Sequence, residues 1–169
     1  AATSAARLIA AGQPGQIAPI AVMVQQTEAD DYDAMLADTT AAGVNALFDQ
    51  LTKAWAQVGK GDMSEAVVRF DAMAKDASLG GFGLYHKALA LASVGDYEGA
   101  DDILSGRAAG PIVVMRRGVI AHVQILSQLE RNADALKVLE MTFGSSADPE
   151  VIDLRARLTA GEPIPYDVA

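Results

Sequence analysis

The chain has 169 residues, half of them hydrophobic (51 %), no cysteine and a net charge of -9. That length and apolar content can bury a core, either as one compact domain or as about five hairpins of roughly 34 residues. The charge repels nucleic-acid backbones and anionic membrane surfaces and leaves basic or neutral protein surfaces as partners, while the missing cysteines exclude disulfides, thiolate metal sites and cysteine nucleophiles.

Alanine is frequent and aromatic residues make up only 5 %, which favours closely packed helices over strands. A short apolar run over 5–11 ends at Gly12-Gln13-Pro14-Gly15 and reads as the second half of a hairpin. Helices are expected over 18–29 and from Asp33 to about residue 40. From Val44 onward, Leu47, Phe48, Leu51, Trp55 and Val58 form one helical stripe that stops at Gly59-Lys60-Gly61. Asp62 and Ser64 can cap the next helix, whose stripe is Ala66, Val67, Phe70, Met73 and Ala74. Gly80-Gly81-Phe82-Gly83 reads as a helix-to-helix turn, because no strand precedes it and no Gly-Lys-Ser/Thr follows to make a phosphate loop.

Leu84, Ala88 and Leu91 mark the following helix, and Ala100, Ile103 and Leu104 its partner, with Asp96 as the cap between them. After Gly110-Pro111 comes a helix with Val119, Val123 and Leu126 on one side. It turns at Glu130-Arg131-Asn132 into another carrying Ala135, Val138 and Leu139. Pro149 suits the first position of a last helix ending near residue 160, and Pro163 and Pro165 make helix unlikely beyond Gly161. No stretch approaches the roughly 18 apolar residues of a membrane span. The first seven residues lack the charged and apolar regions of a leader, so the chain is expected to be soluble, with any signal or anchor upstream.

Gly61-Asp62-Met63-Ser64-Glu65-Ala66 returns as Gly95-Asp96-Tyr97-Glu98-Gly99-Ala100. Ala66, Ala100 and Ala135 then stand 34 and 35 residues apart, each where two helices of a hairpin cross and only a small side chain fits. Phe70, Leu104 and Leu139, four residues on, fill the space beside them. In these residues the chain resembles the tetratricopeptide-repeat family, over roughly 17–147. Leu84, Lys87-Ala88, Leu91, Gly95-Asp96-Tyr97 and Ala100 match its pattern, and Asp30-Asp31-Tyr32 suggests a degenerate earlier copy. The family's Trp, Tyr and closing Pro are mostly replaced.

The resemblance implies an all-α fold, a right-handed superhelical stack of antiparallel helix hairpins (a TPR-like α-solenoid). It gives one domain over 1–169, a segment of a longer protein, with repeats near 17–40, 44–78, 81–107 and 111–144 and a terminal helix at 148–160. The chain also resembles segments of long alphaproteobacterial proteins of this family, over 84–91 and 127–135, which implies a bacterial, periplasmic location.

In such stacks the first helices line a concave face. The family's groove positions fall on Asp49, Thr52 and Ala56, on Phe82, Tyr85 and Leu89, and on Arg117, Ile120 and Gln124, flanked by Lys53 and His86. Each competes with the plainer reading of a packed or solvated side chain. Arg116-Arg117 is the one adjacent basic pair in an acidic chain and could grip a carboxylate, or simply be exposed at a helix start. His86 and His122 occupy nearly equivalent places on successive first helices. Neither has an Asp or Glu at i+3 or i+4 that would complete a metal site, and a core or rim role fits them better.

The expected function is a non-catalytic scaffold that binds a peptide or protein segment on its concave face, without cofactor or metal. Two alternatives stand beside it. One is a structural segment of a longer solenoid that self-associates through its ends, as a homodimer. The other is an enzyme using His86 or His122 as acid or base.

Overall fold

The computed structural model describes residues 2–12, 15, 17–39, 46–77 and 80–167. Val44 and Ser78, expected to open and close one hairpin, and the Gln13-Pro14 turn lie outside them. The described residues form helices and no strand: α1 (Ala2–Ala10), α2 (Ile17–Glu28), α3 (Tyr32–Ala37), α4 (Ala46–Gly59), α5 (Met63–Ala74), α6 (Gly80–Ser93), α7 (Tyr97–Leu104), a 3-10 helix (Arg107–Val114), α8 (Arg116–Gln128), α9 (Asn132–Phe143) and α10 (Pro149–Ala160). The protein is all-α. It divides into two compact units, Ala1–Ala72 and Met73–Ala169, at a point inside α5 that no linker composition marks.

One backbone turn recurs along the chain. Residues Asp30, Gly61, Gly95, Glu130 and Gly161 have φ of 52, 79, 87, 58 and 73°. Each donates its amide to the carbonyl three residues back, and the next residue donates five residues back, as in Asp62 to Gln57 at 2.9 Å, Asp96 to Leu91 at 2.9 Å and Arg131 to Leu126 at 2.9 Å. This Schellman arrangement satisfies the last carbonyls of the helix before it. At three turns the next residue then caps the following helix: Asp31 accepts from the Ala34 amide (3.1 Å), Asp62 from Glu65 (3.1 Å) and Asp96 from Gly99 (3.0 Å).

Five residues after each of the first four left-handed residues comes the position where the helices cross. Ala66, Ala100 and Ala135 are fully buried there, and Met35 holds the same place in the Asp30 copy.

In the first unit α1 packs on α2, α2 on α3 and α3 on α4, and Trp55 meets Phe70 edge to face at 5.8 Å. A Cβ on Gly59 would lie 2.5 Å from the Tyr32 ring, which rests against the end of α4. In the second unit α6 packs on α7 and on the 3-10 helix, α7 on α8, α8 on α9 and α9 on α10. Its core joins Val119, Val123 and Leu126 of α8 to Leu139 of α9, Val151 and Leu154 of α10, and Ile164 beyond it.

Two local expectations are corrected. Gly80-Gly81-Phe82-Gly83 is the first turn of α6 and not a connecting turn. A Cβ on Gly83 would fall 2.8 Å from the Ala74 nitrogen, so the glycine serves close helix packing. Residues after Gly106 form a 3-10 helix that kinks at Gly110 (φ 64°), where Gly110-Pro111 reads in the sequence only as a break.

Candidate interaction surface

On α6, Tyr85 and Leu89 are buried, and Phe82 and His86 are half-buried. The His86 ring stands edge-on to Phe82 at 4.5 Å and to Tyr85 at 5.2 Å. This surrounding desolvates the imidazole and pushes its pKa down to about 4, so it is neutral at pH 7. Burial raises the Tyr85 phenol, an effect partly offset by the positive charge of Arg117 on α8. Tyr85 and Arg117, singled out separately in the sequence, thus lie on helices of the same unit, with the Arg117 charge acting on the phenol. Gln124 of α8 is half-buried and Arg117 exposed.

The neighbouring Arg116 has a different setting. Its guanidinium donates twice to Asp148, at 3.0 and 3.2 Å, and also to Glu150. It sits 5.9 Å over the Phe143 ring. These carboxylates offset the unfavourable placement of a cation at the start of α8 and occupy its donors within the chain.

In the first unit, Asp49 is only 7 % exposed. Lys53, one turn on, reaches its carboxylate at 2.9 Å, and Thr52 donates back to the Phe48 carbonyl at 2.8 Å. Asp49 and Lys53 thus pair with each other, and Thr52 bonds back to its own helix.

Two features have no counterpart in the sequence pattern. The first is a buried cluster in which Asp101 of α7 meets His122 of α8 at 2.7 Å on one oxygen and Arg131 at 2.5 Å on the other. Arg131 also donates to Asp134 at 2.9 Å. A carboxylate on an imidazole is the orienting half of an acid–base device, but here the second oxygen is taken by a guanidinium, and the cluster ties three successive helices together. Among the described residues no group of three or more His, Asp or Glu is arranged to hold a metal ion, and no helix is long and apolar enough to cross a membrane.

The second feature is an extended strap, residues 162–167, which leaves α10 at Gly161 and runs onto α6 and α8. The Ile164 amide donates to Ser127 Oγ at 2.9 Å and its carbonyl accepts from Gln128 Nε2 at 2.6 Å. The Tyr166 hydroxyl donates to the Leu89 carbonyl at 3.0 Å, and its ring stands edge-on to Tyr97 at 6.2 Å. Arg157 holds the Pro163 carbonyl at 2.7 Å. Ile164 is 2 % exposed. Burying it contributes about 1.5–3 kcal/mol and each hydrogen bond about 0.5–1.5 kcal/mol net.

No family model matches the chain, and searches of the curated proteins and of the solved structures return no match either.

Proposed function

We propose that the chain is a non-catalytic interaction scaffold of the tetratricopeptide type, in which the hairpins stack as a right-handed solenoid and the first helices present side chains to a peptide or protein segment. The observation that carries this reading is the recurrence of one hydrogen-bonded turn at 30, 61, 95, 130 and 161, with a buried alanine at three of the helix crossings. Such regularity belongs to repeat architectures, whose common use is an extended, rigid binding face. Arg117, exposed on α8, and the half-buried Phe82 on α6 supply the guanidinium and aromatic side chains that dominate many interfaces.

Selection of random peptides on the immobilised chain tests it. Enriched peptides should bind the unaltered chain and Arg116→Ala alike, and bind Arg117→Glu about tenfold more weakly. A selection that enriches nothing, or peptides indifferent to every first-helix substitution, would overturn the reading.

A second reading, association of the chain with itself through the first unit, is favoured by Leu8, Ile17, Ile20 and Val24, all at least 43 % exposed on α1 and α2. Sedimentation velocity over a concentration series decides it: a dimer abolished by Ile17→Asp with Val24→Asp supports self-association, and a monomer throughout excludes it.

A further inference from the structure

We propose that the strip of α6 and α8 beneath residues 162–167 is a peptide-binding site, occupied in cis by the strap, for an extended segment with an apolar residue followed two positions later by tyrosine. This deepens the scaffold reading and rests on it.

Ser127 and Gln128, adjacent at the end of α8, grip one residue's main chain from both sides, its N–H and its C=O. Such a clamp reads backbone and not side-chain identity, so any residue of extended conformation with a free amide fits its polar part. Ser127 is 5 % exposed and so is a built, desolvated group. A serine inside a helix commonly returns its hydroxyl bond to its own helix. Here the oxygen instead accepts from the strap.

Selectivity comes from two places. The Ile164 side chain enters the apolar cluster formed by α8, α9 and α10, which demands an aliphatic side chain there. Two residues on, the Leu89 carbonyl takes a phenolic hydroxyl while Tyr97 stands against its ring. Pro163 and Pro165 hold the segment extended in advance and lower its ordering cost. Nothing in this recognition depends on the covalent link to α10, apart from the Arg157 contacts at the first two strap residues. A segment of another protein with the same apolar-x-Tyr order meets the same groups.

The test uses a fluorescein-labelled peptide Glu-Pro-Ile-Pro-Tyr-Asp, the sequence of 162–167, titrated by anisotropy. The full chain carrying Ile164→Asp with Tyr166→Ala should bind it saturably and about tenfold or more tighter than the unaltered chain, whose site is filled. Adding Ser127→Ala and Gln128→Ala should weaken that binding by about tenfold, and a peptide with Asp in place of Ile should not bind. A double variant that melts cooperatively yet binds no peptide, or binds it irrespective of Ser127 and Gln128, overturns the proposal.

Should the double variant not fold, amide hydrogen exchange on the unaltered chain decides. The bonded Ile164 amide exchanging about a hundredfold faster than the middle of α8 supports a releasable strap, and equal rates overturn it. Peptides selected on the Ile164→Asp, Tyr166→Ala chain that all still bind when Ser127 and Gln128 are alanine sink this site and leave the scaffold reading standing; a selection empty for every variant sinks both.

Discussion

Asp101 and His122 meet at 2.7 Å across the packing of α7 on α8, with the second oxygen of the same carboxylate held by Arg131. One buried acid thus satisfies donors from two further elements. Removing it leaves a buried imidazole without its partner, while the Arg131 guanidinium keeps Asp134. Asp101→Ala should therefore cost about 2–4 kcal/mol, at the lower end because Arg131 keeps access to water. Arg131→Ala, which leaves the His122 contact in place, should cost clearly less. Urea denaturation of the two variants measures the difference.

The recurring turn makes a prediction about backbone. Glu130 occupies the left-handed region at φ 58°, where three of its four counterparts are glycine. Glu130→Gly should stabilise the protein by about 0.5–1 kcal/mol, the left-handed strain removed outweighing the added freedom of the unfolded chain. Gly95→Ala is the converse. A Cβ there meets nothing within 4 Å, so its expected loss of about 1 kcal/mol is purely conformational. Thermal melts of both variants test the sign.

His86 gives a pH dependence. Burial holds its folded pKa near 4, below its ordinary 6.5. The unfolded chain therefore binds the proton first, and the contribution of neutral His86 to stability is complete above pH 6.5. It is lost as pH falls from 6.5 toward 4. The melting temperature should decline over the upper part of that window, before the carboxylates titrate, and His86→Gln should flatten the decline.

Tyr166 gives the opposite sign. Burial raises its phenol first, with Tyr85, Tyr97 and Asp167 adding to the shift. The folded state thus keeps the proton that the unfolded chain loses near pH 10, and the strap contact is intact below that pH and lost as pH rises through the folded value. In an ultraviolet tyrosinate titration, Ile164→Asp should bring the late-titrating tyrosine back toward its ordinary value.

The helices were legible in the sequence because stripes such as Leu47-Leu51-Trp55 and Val119-Val123-Leu126 carry the 3.6-residue period directly. Gly61-Asp62 and Gly95-Asp96 announced their turns through residue types that the left-handed conformation and the cap require. The same turn at Glu130 and Asp30 was legible only by position, since neither residue advertises a positive φ. The 3-10 helix escaped because glycine and proline punctuate it as they would a loop.

Asp101 lay hidden in an acidic pair that reads as a solvated face. Its one signal is phase: it follows buried Ala100 and precedes Leu104 by three, on the side that meets α8. His86 could be named but not its setting, because the rings of Phe82 and Tyr85 close around it only once α6 is folded and packed. The strap was invisible as a contact, since the prolines that exclude helix say nothing about where an extended segment lies.

The turn at Gly161 is bonded like those at Gly61 and Gly95, yet residues 162–167 beyond it form no helix. The branch point is therefore chemical and local: Asp96-Tyr97-Glu98-Gly99 supplies a carboxylate cap and the amide that it holds, while in Glu162-Pro163-Ile164-Pro165 the second proline stands where that amide would be and keeps Ile164 out of the helical region. The turn is a neutral junction, and the residues just after it act as an instruction, continuing the helical register in one case and turning the chain back upon its own surface in the other.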